Sequence, residues 1–109
     1  MRFEKIIEMN NAVIKIVREN AESYINVAGS REYYGTYNYL AVTISVNSNV
    51  VELIKDRWRK GFSIRINGVA PLTRGQRKKY LAMLRRLLGL SKREFCEFMG
   101  MLGGYWSIK

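Results

Sequence analysis

The chain of 109 residues has no histidine and a single cysteine, Cys96. The usual zinc sites need several histidine or cysteine ligands, and an internal disulfide needs two cysteines, so the sequence excludes both. Any bound metal would therefore have to be held by carboxylates. A lone thiol is typical of a reducing compartment, and we expect a protein of the cytoplasm or the nucleoid.

Proline is also rare, with one residue, and no segment is of low complexity. Together with 48% apolar residues this excludes a disordered chain, and the length predicts a single domain over residues 1–109. The longest apolar stretches are interrupted by charges such as Lys15 and Arg18. We therefore predict neither a membrane span nor a signal peptide.

Acidic residues are few, nine against 19 basic ones, and the net charge is +10. No acid lies between Arg74 and Arg93, a stretch with eight basic residues: Arg74, Arg77, Lys78, Lys79, Arg85, Arg86, Lys92 and Arg93. Clustered lysine and arginine release counterions when they bind phosphates, so a polyanion is the first partner to consider. A solvated helix face without a partner is the alternative.

The spacing of apolar residues predicts an α+β domain, with an antiparallel sheet of about three strands, helices on one of its faces and the element order αββαβαα. The predicted helices cover residues 3–20, from Ser48 or Asn49 to Gly61, 74–88, and a shorter segment from Ser91. Two of their starts are marked by capping pairs, Thr73 with Gln76 and Ser91 with Glu94. The predicted strands cover 24–28, 37–46 and 62–67.

In these strands the residues at alternate positions are apolar, and this set is predicted to face the helices. It comprises Ile25, Val27, Leu40, Val42, Ile44, Val46, Phe62, Ile64 and Ile66. The other parity has no carboxylate and comprises Tyr24, Asn26, Tyr37, Tyr39, Thr43, Ser45, Ser63, Arg65 and Asn67. Such a surface suits phosphates and base edges, although one face of an antiparallel sheet is ordinarily polar.

These patterns predict a nucleic-acid-binding protein, with duplex DNA as the first candidate and RNA as an alternative. The predicted contacts lie on the acid-free sheet face and on the surrounding bases. They are Asn26, Arg31, Tyr37, Tyr39, Arg57, Arg59, Lys60, Arg65, Asn67, Arg74, Arg77, Lys78, Arg85, Lys92 and Arg93.

Several segments resemble one half of a LAGLIDADG homing endonuclease, although the defining motif is degenerate. The likeness covers roughly residues 10–102. Its segments are Leu40–Val46 leading into Val51–Lys55, and Tyr80–Leu84 continuing to Arg93. The resemblance implies an Mg²⁺-dependent endonuclease that acts as a homodimer, with Glu22 as the catalytic metal ligand. Without cleavage, no cofactor is expected.

Residues 89–101 resemble the first helix and turn of a lambda-repressor-like helix-turn-helix. Cys96 and Gly100 take the small and the turn-forming positions of that motif. Leu102, Gly103 and Gly104 would then lie in its recognition helix. A packing hairpin of two helices is the alternative.

A third interpretation is a small basic module that binds an acidic protein. Trp58, Tyr105 and Trp106 belong to residue types that dominate the energetics of protein interfaces. Trp106 would be exposed in such a module, and buried if it only supports the core.

Overall fold

The computed structural model describes residues 2–56 and 60–107, without the side chains of residues 21–23, 34, 36, 37 and 107. Five strands come first and two helices follow. The strands are β1 (Phe3–Met9), β2 (Ala12–Val27), β3 (Ser30–Val46), β4 (Asn49–Asp56) and β5 (Ser63–Ile66). The helices are α1 (Arg74–Leu87) and α2 (Lys92–Gly104), and a 3₁₀ turn follows at Tyr105–Ser107. The strands form one antiparallel sheet in chain order.

The predicted order αββαβαα, with about three strands, is therefore wrong. Residues 3–20, predicted as a helix, form β1 and the first half of β2, and the helix predicted from Asn49 is β4. Ala12, Ile14 and Ile16 are buried, whereas the residues between them are exposed. This period of two fits a half-buried strand, and it decides against the helical spacing of the same apolar residues.

Two-residue turns connect the first four strands, and another follows β5. All four have both central residues at positive φ: Asn10–Asn11, Ala28–Gly29, Asn47–Ser48 and Asn67–Gly68. Turns of this kind match the right-handed twist of the flanking strands, and asparagine and glycine adopt the required backbone conformation most readily. The asparagines at positions 10, 11 and 47 were thus the sequence signal that separates β1 from β2 and β3 from β4.

The helices cover one face of the sheet, and the core lies between them. The buried sheet residues are Ala12, Ile14, Ile16, Leu40, Val42, Ile44, Val46, Val51, Leu53, Phe62, Ile64 and Ile66, and the buried helix residues are Leu84, Leu88, Phe98 and Leu102. The predicted inward parity is confirmed for β3 and for residues 62–66. It is wrong for Ile25 and Val27, each 44% exposed, because they have the parity opposite to the buried Ile14 and Ile16 and lie on a part of β2 that extends beyond the core.

Both C-terminal helices are confirmed, as are their caps. The Thr73 hydroxyl accepts a hydrogen bond from the Gln76 backbone N–H at 3.1 Å. Ser91 and Glu94 form the reciprocal pair of a capping box. Helix α2 continues through Gly100 to Gly104, so it has no turn at the position that the helix-turn-helix resemblance requires.

The capping box of α2 can be tested by replacing Ser91. Its hydroxyl accepts from the Glu94 N–H at 3.2 Å, and without the hydroxyl this N–H loses its partner in the protein. We expect Ser91→Ala to lower the free energy of unfolding by about 1 kcal/mol, and Ser91→Gly by only a few tenths. Urea denaturation measures both, and an alanine variant as stable as the parent would contradict the assignment.

The same pair makes the cap sensitive to acid. The pKa of the Glu94 carboxyl lies below its ordinary value. The larger cause is a hydrogen bond with the Ser91 backbone, and the smaller one is a hydrogen bond with the Ser91 side chain. A depressed pKa in the folded state stabilises the protein at pH values above the unfolded pKa. That contribution is lost as the pH falls through the folded pKa.

Candidate nucleic-acid interface

The sheet face opposite the helices, here called the open face, is set by the register of the strands. Residues directly paired across strands point to the same side. One row across the sheet runs from Ile6 through Lys15, Thr43 and Glu52 to Arg65. The neighbouring row runs through Glu4, Val17, Ala41, Ile54 and Ser63.

In the five-stranded part of the sheet, the described side chains of the open face include five carboxylates: Glu4, Glu8, Glu19, Glu52 and Asp56. The prediction of an acid-free face is therefore wrong. The acids were assigned to two helices, and once these segments are strands, every one of the five falls on the side away from the core. Arg2, Lys15 and Arg65 are the described bases on this face, so it is net acidic.

Five of the described polar side chains on the open face contact one another. Arg2 forms ion pairs with Glu4 at 3.3 Å and Glu19 at 3.9 Å, and Lys15 pairs with Glu4 at 3.3 Å. The Tyr39 hydroxyl donates to Glu19 Oε2 at 2.7 Å. Carboxylates repel phosphates, so this surface is a poor one for nucleic acid.

Two further predicted contacts also lie on this side. Asn67 stabilises its own turn, because its side chain accepts from the Val50 N–H at 2.8 Å and donates to Asn49 Oδ1 at 3.0 Å. Arg65 is exposed beside Glu52. Arg57, Arg59 and the side chains of Tyr37 and Glu22 lie outside the described residues, and the exposed Lys60 follows that gap.

The helices cover the face of the sheet opposite the open face. On that side of the molecule, most of the basic residues belong to the helices. Their basic helical surface consists of Arg74, Lys78, Lys79, Arg85, Arg86, Lys92 and Arg93, all of them on the exposed side of the helices except the half-buried Arg85. Helical spacing places Lys79 and Arg86 opposite the buried Leu84. Only two acids, Glu94 and Glu97, interrupt this charge in the helices.

Some arginines of these helices also hold the fold together. Arg77 Nη2 donates to the Phe62 carbonyl at 2.8 Å and ties α1 to the start of β5. Arg85 Nη1 donates to the Leu90 carbonyl at 3.1 Å. The guanidinium groups keep their charge in both bonds. Arg93 pairs with Glu97 at 3.4 Å, but both are largely exposed and such pairs are weak.

A cleft of about 460 Å³ lies between β5 and the first turn of α1. Its lining includes Phe62, Pro71, Arg65 and Arg77. Two guanidinium groups thus border it, one from the sheet and one from the helix.

Strands β2 and β3 are longer than their neighbours and extend beyond them as a two-stranded ribbon. The pairing of β1 ends at Phe3 with Arg18, and the described pairing of β4 ends at Tyr39 with Asp56. Residues 20–27 and 30–38 therefore form the ribbon, which is about 26 Å long at roughly 3.3 Å per residue. It accounts for much of the longest dimension of the molecule, 51 Å.

The ribbon carries an aromatic and basic cluster. The Arg31 guanidinium lies 4.3 Å from the centre of the Tyr24 ring, which contacts the Tyr33 ring edge-on at 5.8 Å. Asn26 pairs with Arg31 across the strands. Tyr24 and Asn26 have the parity of the buried Ile14 and Ile16, so this cluster belongs to the helix side of β2.

The structure therefore separates the predicted contacts into two groups. Asn26 and Arg31 share the helix side with the basic helical surface, whereas Tyr39, Arg65 and Asn67 lie on the open face. The sequence predicted strands at 24–28 and 37–46 with a loop at residues 30–34 that could contact bases, but it did not predict that this loop is part of β3 and pairs with β2. The available signal for the ribbon was the presence of strand-forming residues both before and after Ala28–Gly29.

The C-terminal turn brings further bases to the root of the ribbon. Arg18 Nε donates to the Trp106 carbonyl at 2.9 Å, and Lys55 Nζ lies 5.7 Å from the centre of the Trp106 ring. Tyr105 stacks on Phe3 at 5.7 Å. Both aromatic residues are half-buried and pack against the core, so they support the fold; Trp58 lies outside the described residues.

Within the described residues, no three acidic or thiol side chains gather into a group that could hold a metal ion. Neither described helix has the length and apolar character needed to cross a bilayer. The helix, hairpin, helix and strand layout that suggested a LAGLIDADG domain is replaced by consecutive strands. Comparisons with protein-family models, with curated proteins and with solved structures found no match.

Proposed function

We propose that this protein binds nucleic acid, with duplex DNA as the first candidate, through the basic helical surface and the helix side of the ribbon. One observation carries the proposal: acidic and basic residues are concentrated on opposite faces of the molecule. The described acids of β1 and β4 lie on the open face, whereas eight bases and two acids occupy the helices.

The two parts of this surface suit different parts of a duplex. Lysine and arginine on the helices would contact phosphates, which supply affinity and orientation but little sequence information. Gly75 and Ala82 lie between the two rows of bases on α1 and leave room for the sugar-phosphate backbone. A two-stranded ribbon fits the major groove, where Arg31 and Asn26 have the donors that read guanine and adenine.

Salt dependence tests the proposal. If about six phosphates are neutralised, affinity should fall on the order of 1000-fold between about 50 and 200 mM salt. Fluorescence anisotropy with a labelled duplex of about 20 base pairs measures this slope. Lys79→Gln should lower the slope by about one, and Lys15→Gln, from the open face, should leave it unchanged. A slope near zero for the parent protein would refute phosphate binding.

Single-stranded nucleic acid is a second candidate because of the ribbon. Tyr24 and Tyr33 are 40% and 59% exposed, and aromatic side chains of this kind stack on unpaired bases. The anisotropy measurement therefore includes single-stranded DNA and double-stranded RNA at the same two salt concentrations. Tighter binding of single strands, lost in Tyr33→Ala, would replace the duplex as the target.

A further inference from the structure

We propose that the open face binds the open face of a second copy of this chain, around a two-fold axis parallel to β3. The inference does not depend on nucleic-acid binding. No described element covers this face, which carries exposed apolar side chains: Ile6 is 60%, Val13 46% and Val50 40% exposed. Apolar residues at these positions are unusual on a solvated sheet face and are typical of an interface.

Rotation about the proposed axis exchanges the strands on either side of β3. Each row of paired residues then faces the same row of the second copy. Because β3 is the central strand, a rotation about it places β2 over β4 of the second copy, and β1 over β5. Val13 and Val50 share one row through Ser45, and Val17 and Ile54 share another through Ala41. Each of these apolar residues then meets an apolar residue of the other copy.

The two inner charges of the central row match under the same operation, whereas Arg65 at one end of the row meets Ile6 from its other end. Lys15 and Glu52 flank Thr43 in a single row, so the rotation brings each over the opposite charge in the second copy. Two such pairs form, one on either side of the axis. An axis across the strands would keep each strand over itself; it opposes Lys15 to itself or to a valine of β2, or, through the Val17 row, brings Lys15 over Glu19 but sets Glu52 over Asp56.

In the row that contains the last residue of β4, the rotation sets like charges over one another. Glu19 and Asp56 flank Tyr39, so the rotation sets one carboxylate over the other. Arg2 lies 3.9 Å from Glu19, and the Tyr39 hydroxyl donates to the same carboxylate, so part of its charge is compensated within its own chain. This row lies where β1 and β4 end, at the margin of the proposed contact, and solvent there screens the repulsion.

The residues on the axis permit close approach. Each residue of β3 meets itself there, and in the three inner rows of the open face these residues are Ala41, Thr43 and Ser45, all small and uncharged, whereas the larger Tyr39 lies in the marginal row. Stacked sheets lie about 10 Å apart and cross at about 30°. Since Lys15 and Glu52 are only about 4.8 Å from β3, such a crossing about the central row moves them by about 2.5 Å and their match remains, whereas residues one row further along the strands move by about 4 Å.

The open face favours a protein partner over a polyanion. Its five carboxylates would repel phosphates, whereas a second copy supplies apolar surface and a lysine opposite Glu52, and ion pairs within each chain compensate part of the remaining acidic charge. Ile25 and Val27, the exposed apolar residues of the ribbon, have the parity of this same face. Glu32 pairs with Ile25 and points to the same side, so the ribbon adds apolar residues and one acid to this face.

Charge exchange between subunits tests this arrangement. We expect sedimentation equilibrium to show a dimer of the parent protein, and Lys15→Glu and Glu52→Lys to raise the dimer dissociation constant on the order of 100-fold each. An equimolar mixture of the two variants should dimerise again, because the glutamate introduced in one chain then meets the lysine introduced in the other. Energy transfer between dyes on the exposed Cys96 detects this mixed dimer.

The mixture also distinguishes a change at the interface from a change within one chain. Lys15 pairs with Glu4 in its own chain, and a loss of that contact persists in the mixture, so restored dimerisation can only come from the interface. Thermal unfolding verifies that both variants fold. Lys79→Glu, with the same charge change on the helices, should leave the dimer intact. A monomeric parent protein, or a mixture that stays monomeric, would overturn the proposal without affecting the DNA measurement.

Discussion

Replacing Arg74, Lys78 and Lys79 together by glutamate is expected to lower affinity for duplex DNA on the order of 1000-fold near 100 mM salt. The three side chains are exposed on the first half of α1. The variant loses three phosphate contacts and adds three repulsive charges, each worth about 1 kcal/mol or more when phosphates are close. Acidic residues near a helix N-terminus favour the helix dipole, so the variant should fold.

A single pair of variants controls for net charge. Lys79→Glu and Arg65→Glu change the charge equally, but Lys79 lies on the basic helical surface and Arg65 on the open face. Lys79→Glu should weaken binding about tenfold, whereas Arg65→Glu should weaken it by no more than about threefold. Equal losses would mean that DNA does not distinguish the two faces, and the proposed surface would be wrong.

Leu84→Ala is expected to lower the free energy of unfolding by about 3 kcal/mol. Leu84 is fully buried where α1 packs on the sheet, and truncation leaves a cavity that neighbouring side chains fill only in part. A domain of this size is typically stable by about 5–15 kcal/mol, so the loss is a large share of the total. Urea denaturation monitored by circular dichroism gives the value.

Met83 provides the matched control for this substitution. It is adjacent in α1 but 42% exposed, and Met83→Ala should cost less than about 1 kcal/mol. If both variants lose the same stability, α1 does not pack on the sheet through Leu84. That result would also remove the support that holds the basic helical surface in place.

The C-terminal helices could be predicted from the sequence because their signals are local. Thr73 with Gln76 and Ser91 with Glu94 lie within single helical turns, and Leu84 and Leu88 follow at helical spacing. The N-terminal half could not, because isoleucines and valines at residues 6–17 satisfy both a helical and an alternating pattern. Pairing with distant β3 decides between them, and local spacing does not record that pairing.

The candidate site shows the same division. The basic stretch from Arg74 to Arg93 could be located from composition, and its helical surface followed from spacing. The face opposite the helices could not be predicted, because its acids come from segments whose strand character depends on partners elsewhere in the chain. The ribbon also escaped prediction, since its extension results from where β1 and β4 end.

The order of the strands in the sheet is the order of the strands in the chain, and this has a kinetic consequence. Two-residue turns join the first four strands, and β5 follows β4 after residues 57–62, so each hairpin can form without closing a long loop. Sheets that need distant strands to meet fold slowly because that entropy is lost first. We therefore expect this domain to fold faster than a β-sandwich of equal length, with the two helices docking onto a sheet already paired.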